Sequence, residues 1–184
     1  MRIVNILGSK GGVGTSTAAA IIAIGLAHAG ERVALVDLTG TGDLGAILGS
    51  DLDNITTCTT VPDTNNDQYD FAIIDHPTAT TRPEPAGTNI LVVTNCYLSV
   101  LRATKLAWRP DAVVVVTEHQ RALNVADITA ALGTPQTRML VIAHDPLIAR
   151  VVDAGLLADR FPAQLRRTHP ARFIYDITLH TANN

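Results

Sequence analysis

The stretch Gly8-Ser9-Lys10-Gly11-Gly12-Val13-Gly14-Thr15-Ser16-Thr17 restricts this chain more than any other. An apolar run, Ile3 to Leu7, precedes it and reads as a buried strand; an Ala/Ile-rich run reaching Ala29 follows and reads as a helix. Strand, glycine loop and helix in that order predict a phosphate-binding loop. Glycines let backbone approach phosphate oxygens, and the helix start adds unpaired N–H groups and a positive dipole end. Such loops ordinarily finish Gly-Lys-[Ser/Thr], with the lysine on the phosphates and the hydroxyl on Mg²⁺. Thr15 fills the lysine position here, Ser16 keeps the hydroxyl, and Lys10, ahead of the glycines, is the loop's one cation.

The order of the remaining segments says what surrounds that loop. Arg32–Leu38, Tyr69–Asp75, Asn89–Thr94, Ala112–Thr117 and Leu140–Ala143 read as further buried strands. Helices are expected over Ser16–Ala29, Leu44–Leu48, Leu98–Trp108, Val125–Leu132 and Pro146 to about Ala158. Residues 49–68 and the proline-rich 78–88 read as loops. Strands alternating with helices predict an α/β domain, doubly wound on a largely parallel sheet with helices on both faces. At 184 residues the chain fits a single domain over 1–184, with a basic C-terminal stretch, 160–184, whose structure the sequence leaves undecided. Aromatic residues make up only 4%, so Ala, Val, Leu and Ile must build the core, as suits helices on a parallel sheet.

A formal net charge of −3 leaves no global basic field for nucleic acid. Cys58 and Cys96 lack metal or redox spacing and read as reduced thiols, and the start lacks a leader pattern. A cytoplasmic protein without membrane contact is the expectation. His76, His119, His144 and His169 show no ligand spacing and read as surface or capping residues. No Ser or Thr has a His/Asp partnership suited to nucleophilic catalysis.

Asp37 and Asp75 each end an apolar strand, where open α/β sheets place ligands. Asp75, beside the Ser16 hydroxyl, is the expected Mg²⁺ residue.

Lys10-Gly11-Gly12-Val13-Gly14 resembles the deviant Walker A loop, K-G-G-x-G-K-[ST], of the ParA/MinD family, SIMIBI-class P-loop ATPases of partition and cell-site positioning. VALVDLTGTGDLGAILG, YDFAIIDHP and HDPLIARVVDAGLL resemble later motifs of that family in the same order. NCYLSVLRATKL and HQRALNVADITAALG look closest to an actinobacterial-type branch. The resemblance implies a P-loop NTPase fold binding ATP or ADP with Mg²⁺. It gives Lys10 the role of signature lysine, reaching across a nucleotide-dependent homodimer. Gly11, Gly12, Val13, Gly14, Thr15, Ser16 and Thr17 would bind nucleotide, Ser16 and Asp75 would serve the metal, and Asp37 would act at the second-strand switch.

Two positions depart from the family pattern. Thr15 replaces its second lysine, and Thr39 replaces the aspartate that helps place the attacking water. A lost charge-assisted contact is worth about 1.5–3 kcal/mol of binding, and phosphoryl transfer suffers more from a missing cation and an unplaced water. Asp43 lies four residues beyond Thr39, and the sequence does not place it. The expectation is an ATP-binding partition or positioning switch with weak or absent hydrolysis, working with a ParB-like or other adaptor protein. Two alternatives stand beside it: an active ATPase for plasmid, phage or chromosome partition, and an adaptor that binds no nucleotide. Arg160, Arg166, Arg167 and Arg172 offer a non-specific DNA contact, Arg160 and Arg167 sharing one face if the segment is helical, with a solvated helix face as the simpler reading.

Overall fold

Every strand of the sheet is parallel to its neighbours, and the first strand lies at its centre. The computed structural model describes residues 1–50, 52–65 and 67–181. The chain runs β1 (Arg2–Gly8), α1 (Thr15–His28), β2 (Val33–Asp37), α2 (Asp43–Leu48), β3 (Ile55–Cys58), β4 (Phe71–Asp75), β5 (Thr88–Thr94), α3 (Tyr97–Thr104), β6 (Ala112–Thr117), α4 (Val125–Leu132), β7 (Met139–Ala143), α5 (Pro146–Asp153), α6 (Ala163–Arg167) and α7 (Pro170–Thr181). The sheet order is β3-β2-β4-β1-β5-β6-β7. From β1 the chain first builds outward on one side, then returns through β4 and crosses to β5 on the other. That reversal opens a crevice at the C-terminal end of β1. The doubly wound parallel sheet expected from the sequence is the one observed.

Burial on both faces explains the near-continuous apolar strands. Val33–Val36, Phe71–Ile74 and Ala112–Val115 are fully buried. One layer holds α1, α2, α5 and α7 against the sheet; Val100 and Ala103 of α3 and Ile128 of α4 cover β5 and β6 on the other face. Helix α1 is buried continuously from Ala18 to Ala27, and its small side chains let it sit close to the sheet. An amphipathic stripe is absent from α1 because both its sides meet protein.

Four expectations need correction. Residues 49–68 are not all loop. Ile55-Thr56-Thr57-Cys58 extends the sheet as an edge strand on β2, its β-branched residues suiting the pleat although only Ile55 is buried. The helix expected to reach Trp108 stops at Thr104, and the chain folds back so that Leu106 and Trp108 pack on the α3–α4 layer. The helix from Pro146 ends at Asp153, where the chain turns out at Ala154-Gly155. The C-terminal stretch, undecided from the sequence, has structure as far as Thr181: α6 and α7 pack back on the core, with Leu165, Ile174 and Ile177 buried. Arg160 lies outside α6, so it shares no helix face with Arg167. Residues 182–184 of that stretch lie outside the described residues. No helix among the described residues is long and apolar enough to cross a membrane.

Helix α7 meets α1 at Gly25, where an added Cβ would stand 2.5 Å from Pro170 Cγ and 3.1 Å from its Cβ. Neither backbone can yield easily, since Pro170 opens one helix and Gly25 is inside the other. Gly25→Val should therefore lower the unfolding free energy by about 1–3 kcal/mol through overpacking. Urea denaturation measures this, and an unchanged midpoint would mean that the α1–α7 contact carries no stability.

Candidate functional site

The crevice at the end of β1 is a cleft of about 540 Å³. Its floor is the loop from Lys10 to Gly14 and the first turn of α1; Asp75-His76-Pro77-Thr78 forms one wall and Thr39, Thr41 and Asp43 another. The loop reaches this shape because Gly14 caps α1 at φ 86°, a left-handed conformation that costs a glycine nothing. No side chain caps α1, so its first-turn N–H groups are left for whatever enters the cleft.

The sequence-derived residues converge here except Val13 and Asp37, neither of which lines the cleft. Gly11, Gly12, Gly14, Thr15, Ser16 and Thr17 all line the cleft, and so does half-buried Lys10, whose Nζ has only a long contact, 3.4 Å, with the Gly11 carbonyl. Val13 turns its side chain into the core and is 1% exposed. Any contact it makes to a ligand is through backbone. The Thr15 hydroxyl packs over Gly8, at the point a Cβ there would occupy. A second cavity of about 330 Å³ continues past Gly12, Gly14 and Thr17 toward the ends of β6 and β7 and the flank of α5.

The two strand-end aspartates are register partners on neighbouring strands, yet their environments differ. Asp37 is occupied by its own loop. Its Oδ1 accepts from Thr39 N (2.8 Å), Thr39 Oγ1 (2.5 Å) and Gly40 N (3.3 Å), and its Oδ2 from Gly42 N (3.0 Å). Burial alone would raise its pKa, but these donors outweigh burial and leave it below the ordinary carboxylate value. The geometry makes Asp37 the clasp of the 39–42 loop.

Asp75 is the opposite case. It is fully buried, and neither carboxylate oxygen has a hydrogen-bond partner. Burial pushes its pKa up to about 6; the nearby Ser16 hydroxyl lowers it in part, and the charges of Asp37 and Asp43 raise it further. The Ser16 hydroxyl is thus within electrostatic reach of Asp75 without completing a hydrogen bond of normal geometry. Buried polar atoms are seldom left orphaned, and an acceptor-only pair facing a cleft suits a cation. Among the described residues no three His, Cys, Asp or Glu side chains converge on one point. Mg²⁺ needs no such cage, since one or two carboxylates with substrate phosphates commonly hold it. The donor set therefore fits Mg²⁺ carried on a phosphate ligand.

His76 is not the surface residue expected. It is half-buried on the cleft wall, and its Nε2 lies 2.8 Å from Asn5 Oδ1. The Asn5 amide donates to Asn89 Oδ1 and to the Pro85 carbonyl, so its oxygen accepts and His76 Nε2 donates. Burial lowers the His76 pKa and so favours the neutral ring. Asn5, the one polar residue inside the apolar run Ile3–Leu7, was the available sequence signal for this network. Ser9 is a second fixed point, its hydroxyl 2.8 Å from buried Ser99 of α3, which ties the loop's entry to the opposite helical layer.

Residues 1–58 match the family model described as cellulose biosynthesis protein BcsQ. No curated protein sequence matches the chain. Among solved structures, the MinD cell division protein of Aquifex aeolicus is 20% identical with a TM-score of 0.78, over 96% of this chain and 98% of that one. The septum site-determining protein MinD of Pyrococcus horikoshii, complexed with Mg-ADP, is 17% identical with a TM-score of 0.76, over 100% and 98%. A ParA family ATPase from Chlorobium tepidum is 16% identical with a TM-score of 0.71, over 94% and 97%. At these identities the likeness is one of fold, and the fold is that of the ParA/MinD-like P-loop ATPases.

The raised Asp75 pKa sets a pH dependence. Between its ordinary value of 3.8 and about 6, the native state holds a proton that the unfolded chain releases. Stability of the ligand-free protein therefore falls as pH rises through that window, by up to about 3 kcal/mol, and levels off above it. Asp75→Asn should flatten this slope and stabilise the ligand-free protein at pH 7.5. Denaturant titrations at pH 4.5, 6 and 7.5 test it, and equal slopes for both proteins would contradict the burial argument.

Proposed function

We propose that this protein is a nucleotide-dependent switch of the ParA/MinD type, binding Mg²⁺ with ATP or ADP in the cleft and hydrolysing ATP slowly or not at all. The observation that carries the reading is the buried, unpartnered Asp75 carboxylate beside Ser16, under a glycine loop with uncapped helix N–H groups. Loop N–H groups would cradle the phosphates, and Ser16 and Asp75 would hold the cation. When bound, Mg²⁺ neutralises phosphate charge. The adjoining second cavity leaves room for the nucleoside.

Slow turnover follows from what the cleft lacks. Thr15 brings no charge to the phosphates, and its hydroxyl packs over Gly8. The Thr39 hydroxyl is spent on Asp37 and Thr41. Binding can survive such losses through backbone donors, whereas the transition state needs a pre-placed cation and an oriented water. Lys10, on the rim, would supply its charge to a second subunit's nucleotide, giving an ATP-dependent homodimer that recruits an adaptor protein.

Calorimetric titration with ATP and ADP, with and without Mg²⁺, tests the site. Micromolar binding with Mg²⁺ is expected, and Ser16→Ala or Asp75→Asn should remove about tenfold of its Mg²⁺-dependent part. Sedimentation should show a dimer with Mg²⁺·ATP that Lys10→Ala abolishes. No binding at millimolar nucleotide would favour the nucleotide-free adaptor; brisk turnover lost on Asp75→Ala would favour an active partition ATPase.

A further inference from the structure

Asp43, Asp75 and Asp153 line the cleft, and Asp37 ends the strand beside Asp75; of the other three only Asp37 and Asp43 act on Asp75 through their charge, and of those two only Asp43 is free to act in the cleft. Asp37 has both oxygens committed to the N–H groups of its own loop. Thr39, at the position where the ParA/MinD resemblance places an aspartate, is closed into the same clasp through Asp37 Oδ1 and Thr41 Oγ1. The clasp ends at Gly42, whose N–H is bound to Asp37 Oδ2 at 3.0 Å, and the next residue is Asp43, the first of α2. Asp43 is exposed and lines the cleft with Ser16 and Asp75. Its carboxylate has no hydrogen-bond donor or cationic partner among the described residues. Its negative charge reaches Asp75, whose own two oxygens are buried and unpartnered.

We propose that Asp43 is a second cation-positioning carboxylate, acting with Asp75 and Ser16 on a divalent cation in the cleft or on that cation's water shell. The loop anchored by Asp37 thus replaces the missing carboxylate of position 39 with one four residues further along. The proposal rests on reading the cleft as a Mg²⁺–nucleotide site, and it adds a property that reading lacks. With Thr15 uncharged and Asp43, Asp75 and Asp153 outnumbering Lys10 along the cleft, phosphates entering without a cation meet net repulsion. Nucleotide binding should therefore depend on the divalent ion more steeply than in a loop carrying the usual lysine.

The test uses the full chain and Mn²⁺ as the probe. Mn²⁺ alone is titrated by electron paramagnetic resonance, and ADP is titrated with Mn²⁺ and with EDTA, for the wild type, Asp43→Asn and Asp43→Glu. Asn has the shape of Asp at this exposed first position of α2, so Asp43→Asn keeps the local fold, and an unchanged unfolding midpoint checks this. Asp43→Asn should weaken Mn²⁺ about tenfold, Asp43→Glu should restore most of it, and ADP in EDTA should bind Asp43→Asn as well as or better than the wild type. Those opposite signs distinguish a cation-positioning residue from one that merely shapes the loop. Mn²⁺ affinity of Asp43→Asn within twofold of wild type, equal losses with Mn²⁺ and with EDTA, or no Mn²⁺ binding by the wild type would each overturn the proposal. Asp43-dependent Mn²⁺ binding without ADP binding would instead overturn the nucleotide reading alone, leaving the cation site.

Discussion

The junction between β1 and α1 fixes everything around it. A parallel sheet buried on both faces has its backbone groups satisfied inside the ladder, and its one opening is at the strand ends. Helix α1 is buried over ten consecutive residues, Ala18 to Ala27, so its position and tilt are set by packing and not by solvent. The loop between them must then turn within the few residues from Ser9 to Gly14 and deliver an uncapped helix start into the opening. An anion site with donors held by a rigid core follows directly.

Two aspartates in equivalent register show how local chemistry divides labour at one sheet edge. Asp37 meets four donors and becomes a structural clasp; Asp75 meets none and keeps a desolvated, raised pKa. The first spends its charge on backbone, whereas the second stores an unfavourable burial that the proposed cation would relieve. Unpaired buried carboxylate is costly to the ligand-free fold, so the binding energy of the proposed cation would include the relief of that cost.

Much of this was legible in the sequence because period and order are strong signals. The alternation of apolar runs with helical stretches implied the doubly wound architecture, and Gly11, Gly12, Gly14, Thr15, Ser16, Thr17 and Asp75 line one cleft, while Val13 turns into the core. The edge strand at Ile55 was hidden by its polar neighbours, since a one-sided edge needs few apolar residues. The early end of α5 was foreshadowed by Gly155. The His76–Asn5 pairing joins residues 71 positions apart, a contact that no local pattern carries. The placement of Asp43 depends on the Asp37 clasp, whose hydrogen bonds exist only once the loop has folded.

The substitutions at positions 15 and 39 become intelligible when each side chain is followed to its contacts. Thr15 fills space over Gly8 and Thr39 closes the Asp37 clasp, so both residues serve the loop's shape. Simple decay of a site would leave its remaining groups unconstrained, with buried Asp75 free to be replaced by an apolar residue at a gain in stability. Asp75 instead persists at full burial, with Ser16 opposite it and Lys10 on the rim. A destabilising carboxylate at full burial, with neighbours that serve as scaffold, is the arrangement that the proposed occupancy of the cleft by a cation and phosphates would explain.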